Sequence, residues 1–191
     1  MTASTSPSTP NPGARVLAVG ECNPFGGVSD MALYHLPRRS SGNRLRCIMG
    51  LSDGDYLRHV DRANLCSGRW SVGEGRRRAA ELLDEACDRH ARPVFVLLGV
   101  RVAAAFLGEK VFRAAARTSG DLKFAGHAIV YRARYVAVCL PHPSGRCRRW
   151  NAPGAVAAVR TQLTMAAPEI PWGLIGDPVG KLNDPLGEVQ R

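Results

Sequence analysis

Two segments of the chain carry the residue types that do hydrolytic chemistry. Gly20-Glu21-Cys22-Asn23-Pro24-Phe25-Gly26-Gly27 offers a carboxylate and an amide beside a proline turn, and His142-Pro143-Ser144-Gly145-Arg146-Cys147-Arg148-Arg149-Trp150-Asn151 offers an imidazole, a hydroxyl and three arginines. Gathered at one place, such groups position water and move protons. Each segment follows a short apolar run, Val16-Leu17-Ala18-Val19 for the first and Tyr135-Val136-Ala137-Val138-Cys139-Leu140 for the second. Both loops are therefore expected at strand ends of a sheet, where open α/β folds place their ligands. Together they read as one active site divided across the chain.

The elements that must hold these loops follow from periodicity. Residues 15–19 read as a buried strand, and Pro24-Phe25-Gly26-Gly27 as a turn whose backbone lies close to something. Arg38-Arg39-Ser40-Ser41-Gly42-Asn43-Arg44 reads as a basic loop feeding a helix through Leu45, Ile48 and Met49. Ser52-Asp53-Gly54-Asp55 caps a short helix, and 60–66 reads as a strand ending near Asn64. Residues 74–90 space Ala79, Leu82, Leu83, Ala86 and Cys87 as one helical face. Then come a buried strand at 93–98, a turn at Gly99 and a helix at 101–107. Residues 123–134 fit a loop or an edge strand, 135–140 form the fourth core strand, and Asn151-Ala152-Pro153 starts a helix that continues over 155–165. The alternation predicts a three-layer α/β/α sandwich around a mostly parallel four-stranded sheet. The expected organisation is a disordered leader over 1–13, one catalytic domain over 14–167 and an irregular Pro/Gly-rich tail over 168–191.

Composition narrows the partner. The 191 residues are 45% hydrophobic, enough for one well-buried domain. The formal charge is +10, the pI is near 10.0, and only Lys110, Lys123 and Lys181 among the 26 basic residues are lysines. Arginine of this abundance suits bidentate phosphate and base contacts, so a nucleic acid is the expected partner, with a solvated basic surface as the plain alternative. The six cysteines include no C-x-x-C pair, which argues against zinc or a cluster. Residues 1–13 have no apolar core and so read as neither signal peptide nor anchor, and no run of about eighteen apolar residues occurs, so no membrane span and a cytoplasmic location are expected.

With the loops in place, residues 14–166 resemble the uracil-DNA glycosylase superfamily. The resemblance is carried by Gly20-Glu21-Cys22-Asn23-Pro24-Phe25, by Arg62-Ala63-Asn64-Leu65, by Val96-Leu97-Leu98-Gly99 and by His142-Pro143-Ser144, which stands about 120 residues past the Asn-Pro loop. It implies that His142 donates a hydrogen bond to the departing pyrimidine, a contribution worth about 10²–10³ in rate for such a donor; the alternative is a loop-capping histidine. The first loop departs from the family patterns Gly-x-Asp-Pro, Gly-x-Asn-Pro and Gly-Glu-x-Pro by one added residue. Two registers follow: Asn23 places the attacking water, or Glu21 acts as its general base, with a salt bridge to an arginine as the alternative role for Glu21.

The resemblance also implies the contacts to a flipped nucleotide. Phe25 stacks on the base or is a core ring; Asn64 reads the Watson–Crick edge or is a turn residue; Gly26 helps set the room available. Ser144 and Gly145 hold phosphates, and Arg146 stands where an apolar wedge is common and fills the duplex gap by stacking. Arg148, Arg149, Arg38 and Arg39 contact phosphates non-specifically or form a solvated face. Trp150 is expected beneath the loop. No cysteine precedes Cys22, so the resemblance implies no iron–sulfur cluster, and no metal or cofactor is expected.

The function so implied is a monomeric, monofunctional glycosylase that flips a uracil or modified pyrimidine from DNA and hydrolyses its glycosidic bond to an abasic site. Alternatives are excision of a bulky hypermodified pyrimidine, such as a glucosylated hydroxymethyl base, in anti-phage defence, and a catalytically inactive DNA-binding module on the same scaffold. A nucleoside-processing enzyme is a further rival, marked by indifference to salt.

Overall fold

The computed structural model describes residues 15–22, 31–118, 128–144 and 147–173, the side chains of 115–118 excepted. The chain runs β1 (Val16–Cys22), α1 (Ser41–Met49), α2 (Asp53–His59), β2 (Val60–Cys66), α3 (Val72–Arg89), β3 (Val94–Leu98), α4 (Val100–Leu107), α5 (Glu109–Thr118), β4 (Ala128–Tyr131), β5 (Val136–Leu140), a 3₁₀ turn at Arg148–Asn151, and α6 (Ala155–Ala166). The expected leader and most of the expected tail lie outside the described residues.

One mixed sheet of five strands has the order β2-β1-β3-β5-β4, with β1–β2, β1–β3 and β3–β5 parallel and β4–β5 antiparallel. This corrects the four-stranded expectation: 128–131, left open between loop and edge strand, pairs along the outer side of β5. The central strands β3 and β5 are buried at every position, as strands covered on both faces must be. Alternate residues divide into two cores. Val16, Ala18, Val96, Val138 and Leu140 join Leu45, Ile48 and Leu163 from α1 and α6, while Val19, Phe95, Leu97 and Cys139 join Leu82, Ala86 and Val102 from α3 and α4. Helices therefore cover both faces, giving three layers.

Local chemistry sets the helix ends. Ser40, Ser52 and Ser71 each accept a backbone N–H three residues on, from Asn43, Asp55 and Glu74, filling donors the first turn leaves open. At the far end of α1, Arg160 of α6 donates to the carbonyls of Ile48 (2.9 Å) and Cys47 (3.1 Å). That satisfies orphan acceptors and ties two helices of one layer together. The start of the irregular tail packs against the fold: Ile170 is buried, Trp172 Nε1–H donates to Ala167 O at 2.7 Å, and Gly173 N–H donates to Met49 O at 3.1 Å.

Two features differ from the periodicity reading. Strand β1 continues through Gly20 and Glu21 to Cys22, because Gly20 and Cys22 pair in register with Asn64 and Cys66 of β2. Glu21 therefore stands on a strand end and not on a loop. Helix α5 was not expected, and it follows α4 after the single residue Gly108.

Candidate functional site at the carboxyl edge of the sheet

Strand β2 lies on one side of β1 and β3 on the other, so the connections leaving β1 and β3 diverge. Such a reversal opens a crevice at the carboxyl ends of the strands. Glu21 stands on one bank, at the end of β1. Arg101, in the first turn of α4, reaches over from the other, its Nη1 2.6 Å from Glu21 Oε1. Arg101 gets there because Gly99 turns β3 directly into α4 with φ +95° and ψ 161°, a conformation essentially confined to glycine. Of the roles open to Glu21, the ion pair to an arginine is the one present.

His142 follows β5 on a rigid Pro141-His142-Pro143 segment whose two prolines are buried. Ser144 N–H donates to His142 Nδ1 at 3.1 Å. An Nδ1 that accepts leaves the proton of the neutral ring on Nε2, so Nε2–H is the ring's donor. Burial pushes the His142 pKa below its ordinary value, and the negative charge of Glu21 partly opposes that shift. The ring is thus kept neutral, and it feels the carboxylate across the crevice. From below, Trp150, 2% exposed, donates its Nε1–H to His142 O at 3.1 Å.

A cleft of about 210 Å³ opens beside the ring, lined among others by Gly99, Val100, Phe112, Leu140, His142 and Arg149. It is smaller than the roughly 300 Å³ at which drug-sized sites begin, a size suited to a single ring. Phe112 comes from the unexpected α5. Cys139 also borders the cleft, but burial pushes its thiol up to about 12, which leaves it an inert small hydrophobe.

Asn64 is placed by β2 opposite Gly20. A Cβ at position 20 would lie 2.3 Å from Asn64 Oδ1, so the amide occupies the space the glycine leaves empty. In the strand order, Asn64 and the residues after β5 stand three spacings apart, about 14 Å. Strand ends thus bring Glu21, Asn64 and His142 to one edge with room between them. The side chains of Arg148 and Arg149 sit on the 3₁₀ turn beside the histidine loop and are exposed, and Arg38 and Arg39 are exposed in the turn before α1. Ser144 contributes its backbone N–H to the histidine. Asn23, Phe25, Gly26, Gly145 and Arg146 lie outside the described residues.

Sequence reasoning missed Arg101 and Phe112. The signal for Phe112 was available, since Gly108 followed by Glu109 and the apolar pair Val111-Phe112 marks a new helix start. Among the described residues no three His, Cys, Asp or Glu side chains gather as a cation-holding group, and no helix is long and apolar enough to cross a membrane.

The class defined by this geometry is a three-layer α/β protein with a polar site at a switch point of its sheet. No protein-family model, curated protein or solved structure matches the chain.

Proposed function

We propose that this protein is a monofunctional DNA glycosylase of the uracil-DNA glycosylase type, acting on a flipped uracil or modified pyrimidine. The observation that carries the reading is the neutral His142 ring, its Nδ1 engaged by Ser144 N–H and its Nε2–H left to donate in the wall of a cleft of single-ring size. Breaking a glycosidic bond builds positive charge on the sugar and negative charge on the departing base. A preorganised Nε2–H donor beside the pyrimidine oxygen stabilises the latter, at a value of about 10²–10³ in rate. A neutral donor gains more from the developing anion than from the ground-state carbonyl, which is what a rate effect requires.

Water completes the reaction by adding its hydroxyl to the anomeric carbon, while its proton goes to solvent or to a nearby base. Asn23 places that water, or Glu21 assists it; the ion pair to Arg101 favours Glu21 as an electrostatic partner of the sugar cation and Asn23 as the water's holder. Asn64 reads the base edge through its amide, and Phe25 stacks on the ring. Ser144, Gly145 and Arg146 grip the strand, with Arg38, Arg39, Arg148 and Arg149 on phosphates. No cofactor enters the scheme. The +10 charge supports a DNA partner, and a cytoplasmic, nucleoid-bound monomer follows from the same reading.

The test is base release from oligonucleotides bearing single uracil, hydroxymethylated, glucosylated or deaminated bases, scored by alkaline cleavage. Release that disappears in His142→Ala while duplex binding survives supports the enzyme. Salt-sensitive binding without release from any substrate by the native protein overturns it in favour of a binding module. Release confined to the bulky bases directs the function to defence against modified phage DNA instead of repair.

A further inference from the structure

Strand β2 carries an arginine where a buried sheet face would be expected to present an apolar residue. Arg62 shares that face with Val60 and Asn64, since side chains two apart along a strand point the same way. Its side chain is half-buried, with Cζ 5.0 Å over the Tyr34 ring, and Nη1 is shut off from solvent without a hydrogen-bond partner among the described residues. Stacking holds the plane of the guanidinium but leaves the N–H groups of Nη1 unsatisfied. Other arginines of the region are paired: Arg46 with Asp53 at 2.9 Å, Arg15 with Asp61 at 2.6 Å.

A buried donor left without a partner on a charged side chain is costly, and such groups cluster where a ligand completes the pairing. Arg62 is two residues before Asn64, about 6.6 Å further from the carboxyl edge. DNA phosphates stay at the rim of a site into which a base is flipped, so what reaches that depth is the far side of the base.

Resting on the glycosylase reading, we infer that Arg62 is a specificity-determining residue that pairs with an anionic substituent on the pyrimidine ring, a carboxylate in the simplest case. A guanidinium fork matches a carboxylate bidentately, whereas uracil offers nothing charged to it. The residue selects among bases; it takes no part in bond breaking.

The experiment compares native protein, Arg62→Met and Arg62→Lys on oligonucleotides carrying uracil or 5-carboxylcytosine, with thermal unfolding of each ligand-free protein. Arg62→Met is expected to lower kcat/KM for the carboxylated base by about ten- to a hundredfold and to leave uracil release within about twofold. Arg62→Lys restores part of the loss. Because Nη1 is buried without a partner among the described residues, Arg62→Met should also raise Tm, whereas an arginine with a merely structural role would lower it when replaced. Equal losses on both substrates mark a phosphate contact and overturn the inference, as does an unselective Arg62→Met or a lowered Tm. If the native protein releases uracil and Arg62→Met shows no selectivity, only this inference falls. If the native protein releases no base at all, the glycosylase reading falls and takes this inference with it.

Discussion

Replacing Gly20 by alanine tests whether the amide of Asn64 is positioned by the strand beside it. The added Cβ would lie 2.3 Å from Asn64 Oδ1, against 3.4 Å or more for ordinary contact, so one of the two must give by about 1 Å. The backbone of Gly20 is held in register by β2, whereas Oδ1 is the far end of a short side chain. The amide is therefore the part that moves. Misplacing a recognition group by about 1 Å costs on the order of 10² in rate when the group orients the reacting base. Stability should change by about 1 kcal/mol or less, since no core residue is displaced and glycine in a strand is itself unfavourable.

The assay is single-turnover base release for Gly20→Ala, Asn64→Ala and the double variant. Because Gly20→Ala is argued to act through Asn64, the double variant should be no slower than Asn64→Ala alone. Additive losses, or full activity in Gly20→Ala with Tm unchanged, would refute the reasoning.

Trp150→Phe removes the Nε1–H that donates to His142 O and leaves a buried carbonyl unpaired; it should cost about 1–3 kcal/mol in urea unfolding and slow base release through a loosened histidine loop. Gly99→Ala meets His142 Cβ only at an ordinary 3.6 Å, but φ +95° is strained for any L side chain, so a loss of about 1–3 kcal/mol is expected and Gly99→Ser should behave alike. The His142 pKa lies below its ordinary 6.5 in the fold, so its contribution to stability is complete above pH 6.5 and is lost as pH falls from there through the lowered value. The difference in unfolding free energy between native protein and His142→Gln should therefore narrow over that interval, and a difference that does not vary with pH would contradict it. Protonation at Nδ1 also breaks the Ser144 N–H bond, so base release should fall over the same range.

The fold was legible where local pattern decides it. Uninterrupted apolar runs at Val94–Leu98 and Val136–Leu140 mark strands buried on both faces, and Ser52 ahead of Asp53-Gly54-Asp55 announces a helix start whatever the tertiary context. The edge strand at 128–131 stayed ambiguous, because a half-exposed strand is stabilised by its neighbour and not by its own residues. The same holds for β1, which runs on to Cys22 only because β2 supplies the register partners.

The sequence by itself determined that His142, Glu21 and Asn64 follow or end strands, and so that they share one edge of a parallel sheet. Tertiary structure alone decided their chemistry. Glu21 meets an arginine 80 residues away, the ring of His142 is half-buried with its Nδ1 engaged by Ser144 N–H, and Arg62 stacks on Tyr34 with Nη1 unpartnered among the described residues. Periodicity reports which way a side chain points from its own backbone. Partners, desolvation and spare room arise from segments that meet only when the chain closes around them.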